Sequence, residues 1–250
     1  EIADLEDFIS RNKARGATTN MAKSRQKKLD KMEKITLVSE KPKPVFSFNS
    51  ARTPGRIVIE CSDLVLGYTE PLTKPLSLKL ECNQKVAIKG VNGLGKSTLL
   101  KTLLKLIPPI SGNVEHDQFV QAGYFEQEEE ATSETALQTI WDEFPSMTNA
   151  EVRAALARCG LTTEHITSQM RVLSGGENAK VRLCRIMLKS INLLVLDEPT
   201  NHLDVDAKEE LKKAIREYKG TVLLVSHEPE FYMDVCDQIW NLEEWTTKIV

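Results

Sequence analysis

The amino-acid sequence predicts an α/β fold with a mostly parallel sheet that is covered by helices on both faces. Segments with the pattern of strands alternate with segments of helical periodicity along most of the chain, as crossover connections between parallel strands require. The longest apolar runs, Leu193–Leu196 and Val222–Val225, have the length of strands. With 250 residues, 41% of them hydrophobic, the chain can form one domain with a substantial core and an appended element.

The composition argues against several classes of protein. No apolar run approaches the roughly 18 residues that a membrane-spanning helix needs, and the acidic segment Glu1–Asp7 does not resemble a signal peptide. The five cysteines form no CxxC pair, so we expect small reduced core residues and a cytoplasmic location. The first residue is not Met, which predicts a fragment or a processed chain.

The first part of the chain differs in charge from the rest. Residues 11–34 hold nine basic and two acidic side chains, although the whole chain has a net charge of −3. Residues 1–40 are therefore predicted to be a basic arm of one or two mostly polar helices, which must project into solvent or lie on a partner. An acidic domain with a basic arm indicates a polyanion near the arm. The second domain is predicted to span residues 41–250.

Proline and glycine mark many boundaries of the predicted elements. A helix that opens at about Lys96 ends before Pro108-Pro109, and Gly220 closes a later helix. A helical block at 133–170, within a subdomain at about 130–173, is predicted as an insertion, with Asn149 as an N-cap. The predicted strands are 45–48, 57–61, 76–80, 85–89, 121–125, 192–197 and 221–226. The helices predicted outside the insertion are 96–107, 177–189, 206–218 and 229–236.

A glycine-rich segment after the strand at 85–89 has the pattern of a phosphate-binding loop. Residues 90–97 read Gly-Val-Asn-Gly-Leu-Gly-Lys-Ser, which fits GxxxxGK[ST] between a strand and a helix. Glycines let backbone N–H groups turn toward phosphate oxygens, and the helix N-terminus adds a positive dipole. We expect Lys96 to reach the β- and γ-phosphates of a nucleotide and Ser97 to bind Mg²⁺. A chance glycine turn is the alternative.

Two acids close the apolar strand at 193–197. Functional groups at the carboxyl ends of parallel strands meet at one edge of the sheet. At this edge, we expect Asp197 to hold the coordination shell of the magnesium ion. We expect Glu198 to polarise the attacking water. Solvated acids at a strand end are the alternative for this motif taken alone.

A second loop with available N–H groups precedes the helix predicted at 177–189. The segment Val172–Glu177 places Ser174, Gly175 and Gly176 before that helix, where a helix N-terminus favours anions. A single domain has no need of two phosphate-binding helix ends. An N-cap followed by a glycine turn explains the segment equally well when it is considered alone.

In this order and at these spacings, the motifs resemble the ATP-binding cassette superfamily over residues 56–242. The resemblance implies an antiparallel β-subdomain and a helical insertion beside the parallel sheet. It implies that Leu173–Glu177 is the signature loop, which closes on ATP held by a second cassette. It also implies that Asp204 lies in a loop that contacts the opposing cassette, although helix capping explains Asp204 as well. The implied contacts with the second cassette are Ser174, Gly175, Gly176, Glu177 and Asp204.

The resemblance also implies roles for residues that no local pattern singles out. It implies that the ring of Tyr68 stacks on adenine. It implies that Gln127 contacts magnesium and the lytic water, and that His227 contacts the γ-phosphate. Each residue also has an alternative explanation: Tyr68 could be a core residue, Gln127 an exposed residue beside the acidic run 128–130, and His227 a structural histidine. The implied ATP-binding residues are Tyr68, Asn92, Gly93, Gly95, Lys96, Ser97, Thr98 and Asp197. The implied catalytic residues are Glu198, His227 and Gln127, and the implied metal ligands are Ser97 and Gln127.

Several details resemble the F branch of this superfamily. Residues 197–204 read Asp-Glu-Pro-Thr-Asn-His-Leu-Asp, whereas transporter cassettes more often have Ser-Ala at Asn201-His202. Glu177 stands where many transporters have Gln; a carboxylate in the first helical turn is favoured by the dipole. Tyr124-Phe125 and the basic stretch of residues 8–34 resemble the same branch. In that family such an arm joins two cassettes, so the chain is expected to be a C-terminal half.

The F-branch resemblance implies an ATPase that acts on the ribosome, with the arm near tRNA. The sequence leaves open a translation factor and a protein that protects ribosomes from antibiotics. Two other readings remain: the motor cassette of a membrane transporter, and a scaffold that binds ATP without hydrolysing it. The implied cofactors are ATP and Mg²⁺. The resemblance also implies that the protein does not insert into a membrane. The chain alone is expected to hydrolyse ATP weakly, unless two copies pair.

Overall fold

The computed structural model describes residues 10–11, 24, 27, 43–127 and 132–247. The chain divides into two compact units, Glu1–Glu40 and Lys41–Val250. In the first unit, Ser10, Arg11, Ser24 and Lys27 are helical and exposed. The rest of the predicted helical arm lies outside the described residues, as does the acidic run 128–130.

Ten strands lie in the described part of the second unit. In chain order they are β1 (Asn49–Ser50), β2 (Ile57–Val65), β3 (Leu76–Glu81), β4 (Lys85–Lys89), β5 (Ser111–His116), β6 (Ala122–Phe125), β7 (Ser190–Ile191), β8 (Leu193–Asp197), β9 (Thr221–Val225) and β10 (Gln238–Asn241). The central sheet has the order β10-β4-β9-β8-β6, and all its pairs are parallel. A second sheet, β3-β2-β5, is antiparallel. The predicted fold class is confirmed.

Seven α-helices follow or connect the described strands. They are α1 (Lys96–Leu103), α2 (Ala136–Glu143), α3 (Asn149–Arg158), α4 (Thr163–Thr167), α5 (Gly175–Met187), α6 (Val205–Glu217) and α7 (Pro229–Tyr232). Short 3-10 turns lie at Met170–Val172 and Leu242–Glu244. Helices α2, α3 and α4 contact one another and lie within the predicted helical insertion between β6 and β8.

Two cores lie on opposite faces of the central sheet. Because successive side chains of a strand point to opposite faces, Leu194 and Leu196 of β8 join the core formed with the helical insertion, α5 and α6. Leu193 and Val195 join the other core, which includes α1 and the antiparallel sheet. All five residues of β8 are buried. The sequence prediction of a strand buried on both faces is therefore confirmed.

Several predicted boundaries are wrong for identifiable physical reasons. Asn149 is the first residue of α3 and not its cap; Thr148 caps the helix, because its extended backbone lets its side chain accept from the Glu151 N–H. Helix α1 ends at Leu103, before Lys105 takes a φ of 59°. Helix α7 ends at Tyr232 and not at residue 236.

The segment predicted as a strand at 45–48 is extended but pairs with no strand. The Val45 N–H donates to the Arg158 carbonyl at 2.7 Å, and Phe46 is buried in the core of the helical side. The strand β1 follows it and pairs in parallel with β7. Strands β5, β7 and β10 were not predicted, because they are short or half-exposed and carry no apolar run.

The described residues include no candidate membrane span, and the cysteines differ in burial. In this part of the chain, no helix has both the length and the apolar character needed to cross a bilayer. All five cysteines are free. Three are buried, as predicted for core residues, whereas two are only partly buried; the buried ones are Cys61, Cys159 and Cys184, and the others are Cys82 and Cys236.

Candidate nucleotide site

Four neighbouring strands of the central sheet deliver the candidate site at their carboxyl ends. The phosphate loop follows β4, His227 follows β9, Glu198 follows β8 and Gln127 follows β6. Because these strands are adjacent in the order β4-β9-β8-β6, the side chains converge on one cavity of about 610 Å³. The cavity is lined by Tyr68, Leu72, Asn92, Gly93, Gly95, Lys96, Ser97, Thr98, Gln127, Asp197, Glu198, Asn201 and His227.

Eleven of these thirteen lining residues were candidate site residues in the sequence. The two that sequence reasoning missed are Leu72 and Asn201. Asn201 lies inside the motif at 197–204, and its N–H donates to the Glu198 carbonyl at 3.2 Å. Its place in that motif could therefore have marked Asn201 as a candidate site residue. No pattern marks Leu72, which reaches the cavity only because the chain from β2 to β3 folds against the phosphate loop.

The phosphate loop uses backbone conformations that favour glycine. Gly93 and Gly95 have φ values of 80° and 98°, in the left-handed region that side chains with a Cβ rarely adopt. A Cβ on Gly95 would also lie 3.1 Å from the Leu72 side chain. Gly95 is the N-cap of α1 and offers no side-chain cap. The N–H groups of the first turn are therefore oriented for an anion.

Lys96 lies within the phosphate loop rather than in solvent. Its Nζ donates to the Gly90 carbonyl at 2.9 Å and to Asn92 Oδ1 at 3.3 Å. The ammonium group is also 2.9 Å from His227 Nε2. Burial lowers the pKa of Lys96, and the carboxylates of Glu198 and Asp197 oppose that shift.

His227 connects this lysine to an acid. Its Nε2 lies 2.9 Å from Lys96 Nζ and 2.9 Å from Glu198 Oε1. A ring without a proton on Nε2 accepts from the lysine, whereas a ring protonated there donates to the carboxylate. Burial raises the pKa of Glu198, and the nearby His227 and Lys96 oppose that shift. The proton positions of the three groups are therefore linked.

Asp197 is a buried carboxylate without a full set of partners. It is 1% exposed, and neither of its oxygens meets hydrogen-bond geometry with a described group, although the Ser97 hydroxyl approaches it. Burial raises the pKa of Asp197, and Ser97, Lys96 and Lys101 oppose that shift. Leaving a buried carboxylate unpaired is costly. The pair Asp197 and Ser97 thus fits a hard cation with oxygen ligands.

The rest of the site fits Mg²⁺ better than a metal held by protein alone. Among the described residues, no three His, Cys, Asp or Glu side chains form a cluster that could hold a metal ion. Mg²⁺ usually takes one or two protein oxygens and fills the remaining positions with water and substrate phosphates. Ser97, Asp197 and the amide of Gln127 all line the one cavity, so the residues present fit that ion.

Glu198 has a strained backbone as well as a buried side chain. Its φ is 51°, and its N–H donates to the Val225 carbonyl of β9 at 3.0 Å. Its side chain is 4% exposed. Residues other than glycine in this conformation cost free energy and occur most often at functional sites. The strain directs the carboxylate back into the cavity beside His227.

Tyr68 and Gln127 lie at the rim of the cavity. Tyr68 is 70% exposed, so it is not a core tyrosine, and its ring can stack on a planar group. Gln127 is exposed as well and is the last described residue before the gap at 128–131. Both side chains can therefore reach a ligand in the cavity without displacing the core.

The predicted signature loop lies on a different surface from this cavity. A second cavity of about 840 Å³ is lined by Ser174, Gly175, Gly176, Glu177 and Asp204, among other residues. No residue lines both cavities. Within one chain, the structure therefore does not bring the signature residues to the phosphate loop.

Local geometry accounts for the shape of the signature loop. Ser174 caps α5, and the Glu177 carboxylate accepts from the Ser174 N–H at 2.8 Å, which completes a capping box. Burial raises the pKa of Glu177, but the bonds to Ser174, together with the nearby His165 and Lys180, outweigh burial and lower that pKa overall. A Cβ on Gly175 would lie 2.9 Å from the His202 ring. The loop therefore packs against the segment that leads to Asp204.

Asp204 has two local roles. Its side chain accepts from the Ala207 N–H at 2.9 Å and caps α6, as the sequence suggested. It also pairs with Lys180 of α5 at 2.9 Å. This ion pair ties the start of α6 to the helix that begins at the signature loop.

Comparisons with known proteins agree with this geometry. A family model described as ABC transporter matches residues 73–201, and a second model with the same description matches residues 1–48. The chain is 59% identical to the ABC transporter ATP-binding protein YfmM of Bacillus subtilis, over all of this chain and 48% of that protein. It is 39% identical to ABC transporter F family member 2 of Arabidopsis thaliana, over 98% of this chain and 37% of that protein. The chain thus spans about half or less of these relatives.

Solved structures show the same fold. An ATP-binding protein of Pyrococcus furiosus, described as an ABC transporter, matches 76% of this chain and 99% of its own with a TM-score of 0.62 and 26% identity. An ATP-binding cassette, solved as a dimer with ADP and phosphate, matches 73% of this chain and 93% of its own with a TM-score of 0.64 and 21% identity. The match to the family model over more than half of the chain is decisive, and the chain belongs to the ATP-binding cassette family.

Proposed function

We propose that this chain binds ATP together with Mg²⁺ and hydrolyses the bond between the β- and γ-phosphates. The observation that carries the proposal is the convergence of four strand ends on one cavity, where a lysine, two acids and a histidine meet. Phosphoryl transfer depends on positioning and charge stabilisation more than on covalent chemistry. A preorganised set of charged groups at a phosphate loop supplies both.

We assign roles to the cavity residues that the sequence motifs marked as candidates. Lys96 would leave the loop carbonyls for the β- and γ-phosphates, and the ring of Tyr68 would stack on adenine. Asn92, Gly93, Gly95 and Thr98 would contribute the loop and the first turn of α1. Such roles agree with a cavity whose base is charged and whose rim is aromatic.

The metal site would be formed by Ser97, Gln127 and the outer-shell acid Asp197. These residues would hold a magnesium ion, which would supply positive charge to the phosphate oxygens. Glu198 would orient and polarise the attacking water, because it lies beside Asp197 and carries a raised pKa. His227, 2.9 Å from Glu198, would hold that carboxylate and contact the γ-phosphate.

We propose that hydrolysis requires a second cassette, either from a longer chain or from another copy. The signature residues Ser174–Glu177 and Asp204 line a surface apart from the phosphate loop. Head-to-tail pairing would place them on ATP held by the partner. The test is phosphate release at rising chain concentrations. A rate per chain that rises with concentration supports pairing, whereas a constant and high rate contradicts it.

The wider proposal is an ATP-dependent action on the ribosome in the cytoplasm, with residues 1–40 as the arm and 41–250 as the cassette. The support is the similarity to ABC transporter F family member 2 of Arabidopsis thaliana together with nine basic residues at 11–34. Lys and Arg at this density suit the phosphates of RNA.

Co-sedimentation with ribosomes tests this wider proposal. The chain with Glu198→Gln is expected to pellet with ribosomes when ATP is present and to remain in the supernatant without nucleotide. A matched variant with the arm lysines 27, 28, 31 and 34 changed to Gln serves as the control and should pellet less. Bound ATP without pelleting would contradict the ribosome proposal and favour a transporter motor or a scaffold.

A further inference from the structure

Gln127 lies at a place where the fold gives it little support. It is exposed and follows β6, the edge strand of the described central sheet. Strand β6 pairs with β8 on one side only. A side chain that must meet a metal ion within a few tenths of an ångström needs a fixed backbone. The residues just before Gln127 must therefore provide the anchor.

Helix α5 reaches those residues through one arginine. Arg182 Nη1 donates to the Glu126 carbonyl at 2.6 Å, and the guanidinium lies over the Phe125 ring, 4.4 Å from its centre. A planar guanidinium can make both contacts at once, which a lysine cannot. The two residues that precede Gln127 are thus held by a single side chain.

The Glu126 side chain is held by a different helix. It pairs with Lys101 of α1, and hydrogen bonding to this carboxylate raises the pKa of Lys101. Helix α1 begins at the phosphate loop, whereas α5 begins at the signature loop. Glu126 therefore lies between the two helices that carry the two nucleotide-contacting loops.

We propose that Arg182 is the positioning residue for Gln127 and couples the signature loop of the chain to the metal side of its own nucleotide cavity. The inference rests on the proposed function, in which the signature loop serves the partner's ATP. Arg182 lies eight residues after the cap Ser174, about 12 Å along a rigid helix. A movement of α5 that follows engagement of the signature loop would shift the Glu126 carbonyl, and Gln127 with it.

The experiment measures the Mg²⁺ dependence of ATP binding by the 250-residue chain. Dissociation constants for ATP are determined with excess Mg²⁺ and with EDTA, for the unmodified chain, Gln127→Ala, Arg182→Met, Arg182→Lys and the double variant. Arg185→Met is the matched control, because Arg185 lies on the same helix and pairs with Glu143 of α2. Melting temperatures check that each variant is folded.

We expect Gln127→Ala and Arg182→Met each to reduce the Mg²⁺ enhancement of binding several-fold, with binding in EDTA unchanged. The double variant should be no worse than either single one, because both remove the same contact. Arg182→Lys should retain part of the enhancement, and Arg185→Met all of it.

The outcomes separate this inference from the proposed function. If Gln127→Ala responds and Arg182→Met keeps the full enhancement, the coupling by Arg182 is wrong and the role of Gln127 stands. Additive losses in the double variant would also overturn the coupling. If Gln127→Ala itself leaves the enhancement unchanged, the proposed metal role of Gln127 fails, and the inference fails with it.

Discussion

At the scale of single residues, the two acids that end β8 have different surroundings. Neither carboxylate oxygen of Asp197 meets hydrogen-bond geometry with a described group, although the Ser97 hydroxyl approaches it, whereas Glu198 Oε1 lies 2.9 Å from His227 Nε2. Burial raises the pKa of both, because a buried carboxylate loses hydration. An unpartnered carboxylate suits the shell of a cation, and one beside a histidine suits the handling of a water proton. The neighbouring acids therefore lead to different predictions.

The variant Glu198→Gln keeps the shape of the side chain and removes its charge. We expect ATP binding to be retained and hydrolysis to fall by about 10²–10⁴-fold, the usual contribution of a general base. Phosphate release and equilibrium binding are measured on the same preparation. Glu209→Gln, at an exposed position of α6, is the control and should leave both unchanged. Hydrolysis by Glu198→Gln at the unmodified rate would contradict the catalytic role.

The variant Asp197→Asn should stabilise the nucleotide-free chain and abolish the effect of Mg²⁺ on ATP binding. Because burial raises the pKa of Asp197 above its ordinary value of 3.8, the protonated acid is favoured in the folded state, and stability is lost as pH rises through the raised pKa. We expect the melting temperature to increase by a few degrees at pH 7. The gain should vanish as pH falls toward 3.8. A pH-independent difference would contradict this explanation.

At the scale of elements, the same capping motif serves different purposes. Thr148 and Ser174 each begin a helix with a reciprocal capping box, completed by Glu151 and Glu177. The box depends only on residues three apart, so its geometry is local. Thr148 caps α3 in the helical insertion, whereas Ser174 lines the cavity of the signature surface. Only the second position is expected to serve stability and function together.

Alanine at each cap tests this difference. Thr148→Ala and Ser174→Ala should each lower the free energy of unfolding by about 1 kcal/mol, because one N–H of the first turn loses its acceptor. Urea unfolding measures that loss. Ser174→Ala should in addition reduce hydrolysis at concentrations where chains pair, and Thr148→Ala should not. Equal rates for the two variants would contradict the role of Ser174 at the partner's nucleotide.

At the scale of the whole molecule, the two cavities are the halves of the composite site that we propose. The phosphate loop and the signature surface have no lining residue in common. A two-fold axis between two copies would face each loop with the signature surface of the partner. The ion pair of Lys180 with Asp204 and the contact of Arg182 with Glu126 then lie between the two ATP molecules. A closed pair would therefore sense both sites through α5.

Mixing two inactive variants tests the composite site. Lys96→Ala removes the proposed contact with phosphate, and Gly175→Asp places a carboxylate on the signature surface. Each variant alone should be inactive, whereas an equal mixture should recover about a quarter of the unmodified rate, because half of the pairs have one intact site. Melting curves confirm folding of both variants. No recovery from two folded variants that pair would contradict head-to-tail assembly.

The site residues predicted from motifs needed only local information. The phosphate loop, the acids at the end of β8 and the cap at Ser174 depend on spacing along the chain; in the structure the loop and the acids line one cavity, and Ser174 caps α5. Boundaries were less predictable where a neighbour decides them. Asn149 and Thr148 both suit an N-cap, and only the extended backbone of Thr148 selects it. The segment at 45–48 has the alternation of a strand but meets the end of α3 instead.

The sequence by itself determined the fold class and the order of the motifs, because periodicity, turn residues and loop spacing act over a few neighbouring positions. Only the tertiary structure decided which of those residues share a cavity. Leu72 and the contact of Arg182 with Glu126 come from segments far apart in the chain. Asn192 likewise joins the Arg52 and Phe119 carbonyls. Such contacts depend on how strands are ordered in the sheet, and a single sequence carries no local signal for that order.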